Sequence, residues 1–128
     1  MNRWPDWWNQ AERDLAHARV ALDAGNFEWA AFAAQQAAEK AVKSMVIGSG
    51  GEPWGHSVTA LLQALPGDVD LRLLDAGRRL DKHYIPARYP NGLPAGHPGG
   101  YYTRGEAETA IDDANTLLEF VRSHLPRP

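Results

Sequence analysis

The sequence predicts an all-α fold: an antiparallel helical bundle of four longer helices plus one short helix. Three observations carry this. Apolar residues recur at three- and four-residue spacing in four long segments, and no segment alternates as a strand requires. Helix start and stop residues flank those segments, among them Pro5, Asn26, a Thr103-x-x-Glu106 capping box and Pro126. One segment, Asn26 to Gly48, holds so many alanines that it reads as a central helix with neighbours on more than one side.

The first helix is expected from Pro5 to Ala24. Proline suits the first turn, where its missing N–H costs nothing, and Asp6 meets the positive end of the helix dipole. Trp4, Trp8, Ala11, Leu15, Ala18 and Leu22 mark one buried face. Trp7 falls off it, so either the chain end folds back or Trp7 meets another subunit. Gly25-Asn26 makes a tight link to the second helix and hence an antiparallel hairpin. There Asn26 is expected to cap with its side chain and Gly48 to stop the helix in a left-handed turn. Ala30, Ala33, Ala34, Ala37, Ala38 and Ala41 form a small apolar side, and Glu39 with Lys43 reads as a helix-surface pair.

The loop GSGGEPWG follows. It lacks a GxxxxGK[ST] pattern and a preceding strand, so it reads as a helix connection rather than a phosphate loop. His56-Ser57 opens the short helix, with Val58, Leu61, Leu62 and Leu65 buried and Pro66-Gly67 ending it; His56 either caps this helix or has a catalytic role. The fourth helix is expected over Asp70 to Tyr84, with Leu71, Leu74, Leu80 and Tyr84 inward and an end before Pro86. Residues 86–100 carry four prolines and four glycines, which argues against regular structure and for a functional or mobile loop. The capping box then opens the last helix, with Ala107, Ala110, Ile111, Ala114, Leu117, Leu118, Val121 and Leu125 inward and Glu106, Glu108, Asp112 and Asp113 near its start.

At 128 residues the chain, 1–128, reads as one domain able to bury a core without metal or disulfides. No cysteine is present, which excludes thiol chemistry and fits a cytoplasmic protein. The start lacks a signal peptide's apolar run, and no stretch approaches the ~20 residues of a membrane span. Net charge −3 argues against a generally basic nucleic-acid binder. The charge is uneven, however. Residues 72–104 hold six Lys/Arg against two acids, while the remainder holds seven against fourteen. A basic segment on an acidic body points to an anionic partner at one place, or simply to a solvated helix face. Five histidines show no metal-ligand spacing, and His17 and His124 read as solvated; neither a metal nor another cofactor is expected.

Within the basic segment, Arg88 in a proline-flanked loop can grip a phosphate while Tyr84, Tyr89, Tyr101 or Tyr102 stacks on a base. It can equally pin the loop to Glu39 or Asp81. Arg79 and Lys82 add positive charge on the same segment. His83 with Arg78 or Arg79 offers a proton-transfer group beside a cation, as metal-free RNA cleavage needs, or else an ion-pair network with Asp81.

Two stretches, Phe32 to Lys43 (FAAQQAAEKAVK) and Leu80 to Pro90 (LDKHYIPARYP), resemble the signature segments of the HEPN family. A Trp-rich first helix with Glu12 and Asp14, the Gly55-His56-Ser57 turn and the Tyr102-Thr103 lead into the last helix occur in the matching order, so the resemblance covers essentially the whole chain. It implies a helical bundle that pairs with itself as a homodimer. It also implies a place among stand-alone HEPN proteins partnered with minimal nucleotidyltransferases as toxin and antitoxin, among metal-independent ribonucleases, or among nucleotide-binding proteins. The leading expectation is a binding module that recognises nucleotide or RNA phosphate through residues 78–89 and works with a nucleotidyltransferase. The ribonuclease alternative uses Arg78 and His83, which match the family's Arg-x4-His spacing. Two features depart from that pattern: Arg79 stands where a polar Asn, Asp or His is usual, and five helical positions turn Arg78 and His83 about 140° apart. The toxin subgroup's Arg-x4-His-x-Tyr is also missing its tyrosine, because Tyr84 follows His83 directly. A third reading is a structural dimer with no ligand.

Overall fold

The structure, a computed structural model, describes residues 3–125. Six helices follow one another: α1 (Trp4–Asp23), α2 (Phe27–Gly48), α3 (Val58–Gln63), α4 (Leu71–Asp81), α5 (Pro98–Tyr101) and α6 (Arg104–Arg122). Among the described residues there is no strand, so the all-α expectation holds. α2 touches every other helix. Its alanines explain why: Ala30, Ala31, Ala34, Ala37, Ala38 and Ala41 are fully buried, and methyl side chains let backbones approach on several sides at once.

The α1–α2 hairpin closes as expected, but by a different device. Gly25 adopts φ +80°, and the Asn26 and Gly25 amides donate to the carbonyls of Ala21 and Leu22 at 2.8 and 3.0 Å. This is a Schellman turn. Asn26 thus closes α1 with its backbone, and its side chain makes no capping bond to α2. At the far end Gly48 still belongs to the helix. The left-handed residue is Gly50 (φ +89°), with Gly51 donating to Val46 O at 2.9 Å. Trp7, off the α1 stripe, is half-buried with the Lys43 ammonium 5.4 Å from its ring centre.

α3 is capped twice. Ser57 Oγ accepts from Ala60 N, the role expected of His56, and Asp81 at the end of α4 accepts from Ser57 Oγ, Val58 N and Thr59 N at 3.0, 2.7 and 3.1 Å. One carboxylate therefore fastens two helices together. Gly77 permits this approach, since a Cβ there would meet Leu62 and Thr59 at 3.3 Å.

α4 is shorter than expected and rotated. Asp70 caps it by accepting from Arg72 N, and Leu73, Ala76, Gly77 and Leu80 point inward, whereas Leu71 is 63% exposed. Beyond Asp81 the chain runs through tight turns, with His83 N donating to Leu80 O and Arg88 N to Ile85 O. This takes Tyr84 out of the helix. Residues 86–100 are not wholly irregular: they hold a 3-10 turn at Pro90–Gly92 and the start of α5. α6 has the full capping box, and its expected apolar face is buried up to Val121, with Leu125 partly so. It ends at Arg122; Pro126, expected to stop it, lies outside the described residues.

Candidate functional site

The basic segment that ends α4 lies between α6 on one side and the α2–α3 connection on the other, and its residues divide between the two. Toward α6, Arg79 makes a two-pronged ion pair with Asp113, Nε to Oδ2 at 2.8 Å and Nη2 to Oδ1 at 2.9 Å. That hydrogen-bonded pairing raises the Arg79 pKa beyond its already high value, so its charge is permanent. His83 Nδ1 lies 2.8 Å from the Tyr102 hydroxyl. Burial lowers the His83 pKa, with Glu106 and Asp113 pulling the other way, and burial with Glu106 pushes the Tyr102 phenol up to about 12. Arg79, Lys82 and His83 share an open groove of about 300 Å³ with Glu106 and Asp113. Arg78 is outside it. It is exposed on α4 and bonded to Asp75 at 2.8 Å, while His83 lies in the turns beyond the end of that helix.

Toward α2, Arg88 Nε donates to the Tyr84 carbonyl at 2.9 Å, and the guanidinium lies over three rings, Phe32, Tyr84 and Tyr89, at 4.5, 4.6 and 5.0 Å. Among the described residues no carboxylate is within ion-pair distance of it. The acids that had been candidates to pin it are engaged elsewhere: Asp81 caps α3, and Glu39 faces Lys43 and His56, each at 3.2 Å. Tyr89 is 48% exposed and free to stack, as is Tyr101 at 46%. Tyr84 is already stacked on His56, with ring centres 4.7 Å apart and planes 16° off parallel, while Arg88 lies over it. It is a spacer between two potential cations.

Glu39 and Lys43 are not a surface pair. Their side chains are 4% and 9% exposed, and Gln35, one turn earlier, is fully buried. The spacing of Gln35, Glu39 and Lys43, four apart on the alanine-rich side, was the available sign of this inward polar row. The pairings of Asp113 with Arg79 and of Tyr102 with His83 had no such sign, because the first depends on the packing of α6 on α4 and the second on the turns that follow α4 and precede α6. Among the described residues no cluster of His, Asp and Glu is placed to hold a metal ion, and no helix is long and apolar enough to cross a membrane.

With this geometry the chain offers a guanidinium beside one exposed ring, Tyr89, and an imidazole that burial biases toward its neutral form beside Lys82 and the ion pair of Arg79 with Asp113. Known proteins share its architecture. A HEPN domain model matches residues 4–124. A solved protein from Thermus thermophilus is 49% identical, with TM-score 0.95 over 98% of this chain and all of its own. A solved archaeal HEPN homologue is 41% identical, with TM-score 0.84 over 96% of this chain and 98% of its own. A HEPN domain protein from Thermotoga maritima is 35% identical, with TM-score 0.76 over 92% and 95%. A Methanocaldococcus jannaschii protein named "putative toxin" is 28% identical across 91% of this chain and 84% of its own length.

Proposed function

This chain belongs to the HEPN domain family, and from that premise we propose that it is a toxin-type binding module that recognises the phosphate of a nucleotide or of RNA through Arg88. Tyr89 offers a stacking face, and Tyr84 holds the arginine in place. The single observation that carries this reading is an Arg88 guanidinium paired with no carboxylate among the described residues and held over three rings. A cation kept in one orientation loses little freedom on binding, and its terminal nitrogens match phosphate oxygens. Exposed Lys82 adds positive charge on the same segment, whereas Arg79 is neutralised by Asp113. The toxin-named relative supports a pairing with a second protein, and the reading gives the chain a minimal nucleotidyltransferase as that partner and a homodimer as its working form. The test is binding of a fluorescent RNA oligonucleotide and of AMP to the native chain and to Arg88→Ala. The reading expects about a ten-fold loss, with binding that weakens as salt is raised. Equal affinity in the two proteins overturns it.

One observation favours a second reading, metal-independent RNA cleavage. His83 is held neutral in a groove with Arg79 and Lys82, where an imidazole can exchange a proton and a cation can steady a phosphorane-like charge. Arg78, bonded to Asp75, has no part in it in this arrangement. Cleavage that survives a chelator and disappears in His83→Ala establishes it; no cleavage by either protein leaves the binding module.

A further inference from the structure

His56 is the most heavily fastened exposed side chain near Arg88. Its side chain is 58% exposed, yet two groups hold it and a third holds its backbone. Glu39 Oε1 lies 3.2 Å from its Nδ1, Gln35 Nε2 donates to its carbonyl at 3.0 Å, and its ring is stacked on Tyr84. Glu39 is itself fixed from behind, by Lys43 at 3.2 Å and Gln35 at 3.5 Å, with only 3% of its surface exposed. A buried carboxylate held on two sides and turned onto an outward histidine is costlier than packing alone demands. The loop glycines Gly50 and Gly55, both at positive φ, let the connection reach back to α2 and set His56 there.

We infer that His56 is a second ligand-contacting residue of the Arg88 site, that Glu39 is its positioning residue, and that phosphate binding there is linked to a proton. The inference rests on the reading of Arg88 as a phosphate grip. Both groups pack on Tyr84, 4.7 and 4.6 Å from its ring centre, so a ligand that contacts both sits at the edge of that ring. With Glu39 ionised, His56 Nδ1–H donates to it, which leaves Nε2 for the ligand. Neutral His56 turns a lone pair toward the phosphate oxygens, and protonated His56 turns an N–H. A phosphate dianion, which has no proton to give, therefore meets His56 only as the imidazolium. The charged groups that face His56 are Glu39, with Lys43 behind it, and Arg88 across Tyr84. Asp81 is committed to Ser57 and the start of α3.

The test measures binding of a 5′-phosphorylated RNA tetranucleotide, and of AMP, to the full chain between about pH 5.5 and pH 8, the range in which histidine changes charge. The native protein is expected to bind about ten-fold more tightly at the acid end. His56→Gln, at an exposed position, should keep the fold by thermal melting and lose that gain, leaving only the change that the second ionisation of the phosphate itself, at about pH 6, imposes. Glu39→Gln, which keeps a hydrogen-bond acceptor but removes the charge, should reduce the gain in binding at the acid end, a change that a merely structural role does not produce. Whichever probe shows the linked binding identifies the source of the phosphate. If Arg88→Ala abolishes binding while His56→Gln keeps the native affinity and pH profile, the inference fails and the Arg88 reading stands. If the native chain binds neither probe at any pH, both fall together.

Discussion

Burial decides what each charged residue contributes. Arg78 with Asp75 and Glu39 with Lys43 are both ion pairs within one helix, but the first is about half exposed and the second nearly enclosed. An exposed pair contributes a few tenths of a kcal/mol, whereas removing one member of an enclosed pair strands the other and costs about 3–5 kcal/mol. Lys43→Ala should therefore lower stability by about 3 kcal/mol in urea titration, and Asp75→Ala by less than about 0.5 kcal/mol. His83 makes a pH prediction. Burial lowers its pKa, so the folded state favours the neutral ring. Unfolded histidine titrates near 6.5, so this contribution is complete above that value and is lost as pH falls below it toward the folded value. The acid limb of melting temperature against pH, from roughly pH 6.5 downward, should be shallower in His83→Gln. The sequence shows these residues as types. Only their neighbours, Tyr102 for His83 and Gln35 for Glu39, show what they are for.

At the scale of elements, the ends matter more than the middles. The capping box of α6 was legible because both partners sit on one helix, three residues apart. The cap of α3 was not, because Asp81 comes from another helix twenty-odd residues on. It accepts from three donors, so Asp81→Ala should cost about 2 kcal/mol and leave the α3 amides exchanging faster with deuterium, with Asp81→Asn less severe. The rotation of α4 has a similar cause. Leu71 and Leu74 looked as apolar as Leu73 and Leu80, and nothing within the segment says which face meets α6. The Asp70 cap and the contact of Gly77 with α3 decide it.

For the molecule as a whole, α2 sets the tolerance to change. Ala37 and Ala34 have no exposed surface, and an interior packed this closely has no room for added methylenes. Ala37→Leu should destabilise by about 1–3 kcal/mol by overpacking, read as a lower denaturant midpoint. The homodimer proposed above predicts light scattering at about twice 14.1 kDa, and a clean monomer at working concentration removes it.

Fold class, helix order and the central place of α2 follow from periodicity, alanine content and caps within single segments. These are properties of chain-local geometry, written in spacings of three and four residues. The functional surface arises differently. Arg88 meets Phe32 from a helix more than fifty residues earlier, His56 meets Glu39 and Tyr84, and His83 meets Tyr102. Each meeting depends on how helices pack and on where α4 stops, so only the tertiary structure decided which cations are neutralised by a carboxylate and which, among the described residues, are not.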